Sequence, residues 1–273
     1  MKKTMEYLHQ KKRDGRKITM LTCYDYPTAR LQDEAGIDVI FAGDSVGTNQ
    51  LGYERETSVT LDDIIHHLKA VRRGVEHAYL LADMPYRTYE NADTALATAQ
   101  MLLRNGADGV KLEGLHEEIV AHLYNQGIEV WGHLGFNPQY HEKAAVQGKT
   151  YDSARVLAES VRSLQAAGAC MVVLELIPEE LGKIITEQVT IPTIGIGAGR
   201  FTDGQVLIVH DMLGITPREL RHSKNYGHVG EIMLKSFQEY ASEVEAGAFP
   251  NVSNVRHMKA EELSQLMRHY GIE

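Results

Sequence analysis

Cysteine is nearly missing from these 273 residues: Cys23 and Cys170 lie far apart, each in an apolar stretch, with no CxxC spacing. That excludes a disulfide scaffold and a cysteine zinc site, and it fits a reducing compartment, so the expected location is cytoplasmic. No run approaches the roughly 18 apolar residues of a membrane span, and residues 1–17 lack the apolar core of a secretory signal. Basic charge is short as well, with 28 Lys+Arg against 37 Asp+Glu and a net charge of −9. A phosphate backbone needs a basic face, and Lys11-Lys12-Arg13 is too brief to make one, so nucleic acid is a poor partner. What is present, 43% hydrophobic and 24% charged residues, is ordinary for a globular chain and removes disordered, collagen-like and coiled-coil classes.

Eight β-rich runs recur, at 18–24, 39–42, 79–82, 109–112, 129–133, 171–174, 193–196 and 205–209. Stretches of helical periodicity such as 62–73, 93–105, 116–126 and 152–167 separate them. Asp62 and Asp93 read as N-caps, and Gly74, Gly106, Gly127 and Gly168 as C-caps. Apolar strands alternating with amphipathic helices require a parallel sheet covered by helices. Eight repeats without a composition break favour a closed (β/α)8 TIM barrel, with an open doubly wound sheet as the alternative. The weak interval is 197–204, which holds only a turn. One domain over 1–273 is expected, with a helical lead-in at 1–17 and a helical extension at 251–273 whose helix spans 257–270.

In a parallel barrel the chemistry gathers at the C-terminal strand ends. The runs hand over there to Asp25, Asp44-Ser45, Asp83, Lys111 with Glu113, His133, Glu175, and His210-Asp211. Asp44, Asp83 and Glu113 come from successive strands, and left unpaired in a pocket they would raise one another's pKa values. A divalent cation resolves that conflict, and an all-oxygen shell points to Mg²⁺ over zinc. The plainer alternative is helix capping or a salt bridge from Lys111 to Glu113 or Asp83. His133 reads equally well as a buried histidine satisfied by backbone. The run Gly195-Ile196-Gly197-Ala198-Gly199 lacks GxGxxG spacing and has no long helix after it, so a dinucleotide site is a weak reading.

The segments Ala42-Gly43-Asp44-Ser45-Val46-Gly47, Leu81-Ala82-Asp83-Met84-Pro85, Val110-Lys111-Leu112-Glu113-Gly114, Gly132-His133-Leu134-Gly135, Val173-Leu174-Glu175 and Ile194-Gly195-Ile196-Gly197-Ala198-Gly199 closely resemble the ketopantoate hydroxymethyltransferase family. The likeness runs in order from about Ile18 to about Pro250. It implies a (β/α)8 barrel of the phosphoenolpyruvate/pyruvate superfamily. It also implies transfer of a hydroxymethyl group from 5,10-methylenetetrahydrofolate to 3-methyl-2-oxobutanoate through a Mg²⁺-stabilised enolate, on the route to pantothenate. By the same resemblance Asp44, Asp83 and Glu113 bind Mg²⁺, one ion per subunit. Asp44, Ser45, Asp83, Lys111 and His133 contact the oxoacid, Glu175 accepts the proton, and the subunits assemble as a cytoplasmic homodecamer.

One stretch departs from the family. After Pro138-Gln139 the chain reads Tyr140-His141-Glu142-Lys143-Ala144-Ala145 and then Val146-Gln147-Gly148-Lys149. It is shorter than usual, lacks a glycine pair, and has Lys149 where arginine is usual. Following strand five, it bears on folate contacts and substrate range. Two enzyme rivals are a Mg²⁺-dependent lyase of the same superfamily and a Schiff-base aldolase using Lys111. The missing Lys-Lys-Cys-Gly-His type signature opposes the first, and the carboxylates around Lys111 oppose the second, because they raise an amine's pKa. A non-catalytic oxoacid-binding barrel is the third rival, opposed by Glu175, since a binder needs no base.

Overall fold

Alternation of strand and helix carries through the chain, and the strands close on themselves in chain order. The computed structural model describes residues 2–216 and 221–272. Its strands are β1 (Ile18–Thr22), β2 (Val39–Ala42), β3 (Tyr79–Asp83), β4 (Gly109–Lys111), β5 (Val130–Gly135), β6 (Met171–Glu175), β7 (Thr193–Ile196) and β8 (Gly204–Leu207). All neighbours are parallel, and β8 returns to β1 with Gly204 opposite Ile18 and Leu207 opposite Leu21. That closing pair makes the expected (β/α)8 barrel and removes the open sheet. Helix α1 (Met5–Arg13) precedes it. After β1 to β6 come α2 (Tyr26–Glu34), α3 (Leu61–Gly74), α4 (Ala92–Arg104), α5 (Glu117–Asn125), α6 (Tyr151–Ala166) and α7 (Glu179–Gln188). Between β7 and β8 there is a turn, as the spacing required, and β8 leads into the one-turn α8 (Val209–Met212).

The side-chain period of two decides what faces the barrel axis. Ile18 and Met20, Val39 and Phe41, Tyr79 and Leu81, Met171 and Val173, with Trp131, Ile194, Ile196 and Val206, form an inner core separate from the one under the helices. Two residues beyond the inward Leu81, Trp131 and Val173 stand Asp83, His133 and Glu175. The parity that buries the floor thus aims the polar groups into the mouth. Met5 and Leu8 of α1 join the inner core, so the lead-in helix plugs the floor. The inward Gly109 of β4 is fixed by packing, since a Cβ there would lie 2.1 Å from the Tyr79 hydroxyl.

Helix ends correct two expectations. The N-caps of α3 and α4 are Thr60 and Asn91, whose side chains accept from Asp63 and Thr94 backbone N–H groups. Asp62 and Asp93 lie inside the first turns, where an acid interacts favourably with the helix dipole without capping it. Gly106, Gly127 and Gly168 follow α4, α5 and α6 with positive φ, as C-terminal glycines do. Gly74 is the last residue of α3 instead, placed where a Cβ would meet the Tyr26 carbonyl at 2.6 Å, so it serves close packing on α2.

The span expected as one domain divides into two compact units, Met1–Gly227 and His228–Glu273. The second holds α9 (Val229–Glu245) and α10 (Ala260–Tyr270). α9 escaped the sequence reading, and α10 starts three residues later than expected. Along α9, Met233, Phe237, Tyr240 and Val244 recur at helical spacing and all are exposed. Among the described residues no helix is long and apolar enough to cross a membrane.

Candidate active site

At the C-terminal mouth of the barrel lies a cavity of about 360 Å³ whose lining includes Asp44, Asp83, Lys111, Glu113, His133 and Glu175. The site residues read from sequence therefore converge on one place. Asp83, Lys111, Glu113 and His133 are at most 3% exposed, and Asp44 is 6% exposed. Lys111 Nζ lies 2.9 Å from Asp83 Oδ1 and 3.5 Å from Glu113 Oε1. His133 bridges two acids, with Nδ1 3.2 Å from Glu113 Oε1 and Nε2 3.3 Å from Glu175 Oε2. Ser45, half-buried, shares a 2.8 Å hydrogen bond with the hydroxyl of the buried Tyr24.

Burial disfavours every charge here, and the neighbours decide which survive. Burial pulls Lys111 down, but the charges of Asp83, Glu113 and Asp44 outweigh it and hold the ammonium above its usual range. A Schiff-base role is thereby opposed, as the sequence implied. His133 is likewise desolvated, yet the Glu113 charge lifts it to about 9, so it is an imidazolium at neutral pH. Glu113 is desolvated too, and His133 with Lys111 brings it down to about 2. Asp44 moves the other way: burial raises it well above the carboxylate range, reinforced by repulsion from Asp83 and Glu113.

Among the described residues no three His, Cys, Asp or Glu side chains form a ready-made metal cage; Lys111 pairs with both Asp83 and Glu113. The donor chemistry nonetheless fits a hard cation, because buried carboxylates outnumber the cations beside them and the donors are all oxygen. Asp83 Oδ1 accepts no hydrogen bond although buried, its contact being the Lys111 ion pair. Both Glu113 oxygens are engaged, Oε1 by His133 and Lys111 and Oε2 by the Gln139 N–H at 3.0 Å.

One strand-end residue has a plainer duty. Asp25 caps α2, accepting from the Thr28 N–H at 2.8 Å. Asp211 lines the cavity and accepts a hydrogen bond from the Thr216 hydroxyl. The unusual loop after β5 does reach the mouth, where Pro138, His141, Glu142 and Ala144 line the cavity and Glu142 lies 3.5 Å from Arg55. Sequence reasoning missed Gln139 and Tyr24 as site residues. Neither is charged, and Tyr24 packs in the core under the helices two residues past the end of β1, where no parity count singles it out.

A closed parallel barrel with buried acids, a lysine and a histidine crowding its C-terminal mouth defines a barrel enzyme that handles a small polar molecule. The sequence profile described as ketopantoate hydroxymethyltransferase matches residues 2–252, and the chain belongs to that family. It is 46% identical over 253 residues to the 3-methyl-2-oxobutanoate hydroxymethyltransferase of Thermotoga neapolitana, covering 90% of this chain and 94% of the relative. The enzyme of the same name from Dehalococcoides mccartyi is 43% identical over 276 residues, covering 98% and 99%. The chain is thus a hydroxymethyltransferase by family. Among solved structures, a phosphonopyruvate hydrolase complexed with oxalate and Mg²⁺ superposes with TM-score 0.61 at 12% identity, covering 98% of this chain and 99% of the other. A 2,3-dimethylmalate lyase of the PEP mutase/isocitrate lyase superfamily gives 0.57 at 13% identity, covering 99% of each. Both show the same fold.

Proposed function

We propose that the mouth transfers a hydroxymethyl group from 5,10-methylenetetrahydrofolate to C3 of 3-methyl-2-oxobutanoate, giving ketopantoate for pantothenate synthesis. The observation that carries this reading is the buried chain Lys111–Glu113–His133–Glu175. It joins a fixed cation on one wall to a less buried carboxylate on the other. Proton removal beside a ketone needs both, a positive group for the oxygen that gains charge and a base for the carbon that loses the proton.

Asp44 and Asp83 would hold a divalent cation, and Glu113, already engaged by Lys111, His133 and Gln139, would support them through those contacts. The ion, when bound, supplies Lewis-acid polarisation of the keto oxygen. Lys111 holds the substrate carboxylate or the enolate oxygen by charge-assisted hydrogen bonding. Ser45, oriented by Tyr24, binds the carboxylate. Glu175 takes the C3 proton, and the His133 imidazolium steadies that carboxylate before transfer. The carbanion carbon then forms a bond to the methylene carbon of the folate, which enters past the loop after β5. Water supplies the hydroxyl oxygen, both carbon–nitrogen bonds of the bridge break, and tetrahydrofolate leaves with its two nitrogens taking up the C3 proton and one proton of the water. The α9 stripe supports homo-oligomeric assembly, a decamer by family likeness, with the second unit serving it. The paucity of cysteine supports a cytoplasmic site of action.

The test is ketopantoate formation by the purified protein supplied with the oxoacid, the folate and Mg²⁺. Excess chelator should abolish turnover and added Mg²⁺ restore it. No ketopantoate under any metal condition contradicts the reaction, and full turnover in chelator contradicts the metal.

A further inference from the structure

Gln139 is 2% exposed, yet it is neither apolar nor charged and stands at the start of a loop. Its amide makes three hydrogen bonds. Nε2 donates to Asp44 Oδ2 at 2.8 Å and to the Met84 carbonyl at 3.2 Å. Oε1 accepts from the hydroxyl of Tyr89, itself buried at 2%. The Gln139 backbone N–H donates to Glu113 Oε2. The Met84 carbonyl can only accept, so it fixes which end of the amide is the donor, and with it the group that faces Asp44. Tyr89 adds to that, because a flipped amide would set oxygen against the Met84 carbonyl and leave the phenol only the more distant Glu113 carbonyl, at 3.4 Å. The arrangement pins Asp44 Oδ2, and no hydrogen bond among the described residues engages Oδ1.

We infer that Gln139 is the positioning residue of the cation site, orienting the Asp44 carboxylate through its side chain and the Glu113 carboxylate through its backbone, with Tyr89 holding the amide in register. The inference rests on the proposal that Asp44 and Asp83 bind a divalent cation. It gives the loop after β5 a second role. The same turn that carries the exposed Tyr140-His141-Glu142 stretch at the mouth also sets the geometry of the acids from β2 and β4, so changes in the loop reach the cation site through one residue.

Mn²⁺ serves as the probe, its free concentration counted by electron paramagnetic resonance, with no substrate and no turnover. Loss of an outer hydrogen-bond partner to a metal-binding carboxylate costs about 10–100-fold in affinity. Gln139→Met, which preserves bulk, should weaken Mn²⁺ binding by that factor. Tyr89→Phe should weaken it by a smaller factor, about threefold or more. A merely structural glutamine would lower the melting temperature and leave the Mn²⁺ constant of the folded protein alone. If wild type binds Mn²⁺ and folded Gln139→Met binds within twofold, the inference is overturned while the metal proposal stands. If wild type fails to bind, both fall. Should Gln139→Met not fold, Tyr89→Phe decides by the same comparison, a threefold or greater loss supporting the inference and an unchanged constant overturning it.

Discussion

Lys111 projects inward two residues beyond Gly109 and lies over the Phe41 ring at 5.4 Å, with carboxylates on its other sides. A charge so placed is fixed before substrate arrives, which is what stabilising a developing oxyanion demands. Lys111→Met keeps the stem and deletes the charge; it should cut kcat/KM for the oxoacid by about 10²–10³-fold, read by steady-state kinetics. Activity near wild type would remove Lys111 from the reaction. At this scale the sequence was legible wherever charge met strand parity. Asp83, His133 and Glu175 fall on inward positions that any alternation count finds. Gln139 was opaque because an amide titrates nowhere and its value lies in four partners from the loops after three strands. Asp25 was overread, since an aspartate after a strand is as readily the cap of the next helix.

Among the elements, α1 shows how a lead-in segment becomes structural. The buried Asp38 beneath β2 accepts from Lys11 Nζ at 2.5 Å, the Tyr7 hydroxyl at 3.1 Å and the Thr19 N–H at 2.9 Å, with Lys3 Nζ 3.2 Å away. Burial opposes its ionisation, but the Lys11 hydrogen bond, the Thr19 N–H and the charges of Lys11 and Lys3 win and hold its pKa below the usual range. A depressed carboxylate contributes stability that is complete above its unfolded pKa of roughly 3.9 and is lost as pH falls through the lower folded value. Chemical denaturation between pH 7 and pH 3 should therefore show this contribution fading only below about pH 4. In Asp38→Ala, which leaves the buried Lys11 ammonium unpaired, stability at pH 7 should drop by about 3–5 kcal/mol, and the acid-dependent loss should shrink. An unchanged acid slope would show that Asp38 is not its source. The eight strands were readable because each is short, apolar and bounded by turn residues. α9 was not, although its apolar residues recur at helical spacing, because it follows the eighth strand and no strand comes after it to mark it as part of the alternation.

For the whole molecule, the exposed Met233, Phe237, Tyr240 and Val244 are more apolar surface than a lone helix leaves uncovered in water. Light scattering should give a mass several times the 30.5 kDa of one chain, with ten copies the value implied by family likeness. Phe237→Lys with Tyr240→Lys should shift it downward, and a wild-type mass of a single chain would contradict assembly. Barrel, mouth and substrate class follow from the chain alone, whereas the copy number needs surfaces that one chain does not display. The most direct test of the central claim is deuterium exchange at C3 of 3-methyl-2-oxobutanoate in D₂O with Mg²⁺, followed by proton NMR without folate. Wild type should exchange, and Glu175→Gln should lose about 10²–10⁴-fold in that rate while calorimetry still detects oxoacid binding. Exchange within threefold of wild type in a folded Glu175→Gln protein would contradict Glu175 as the base.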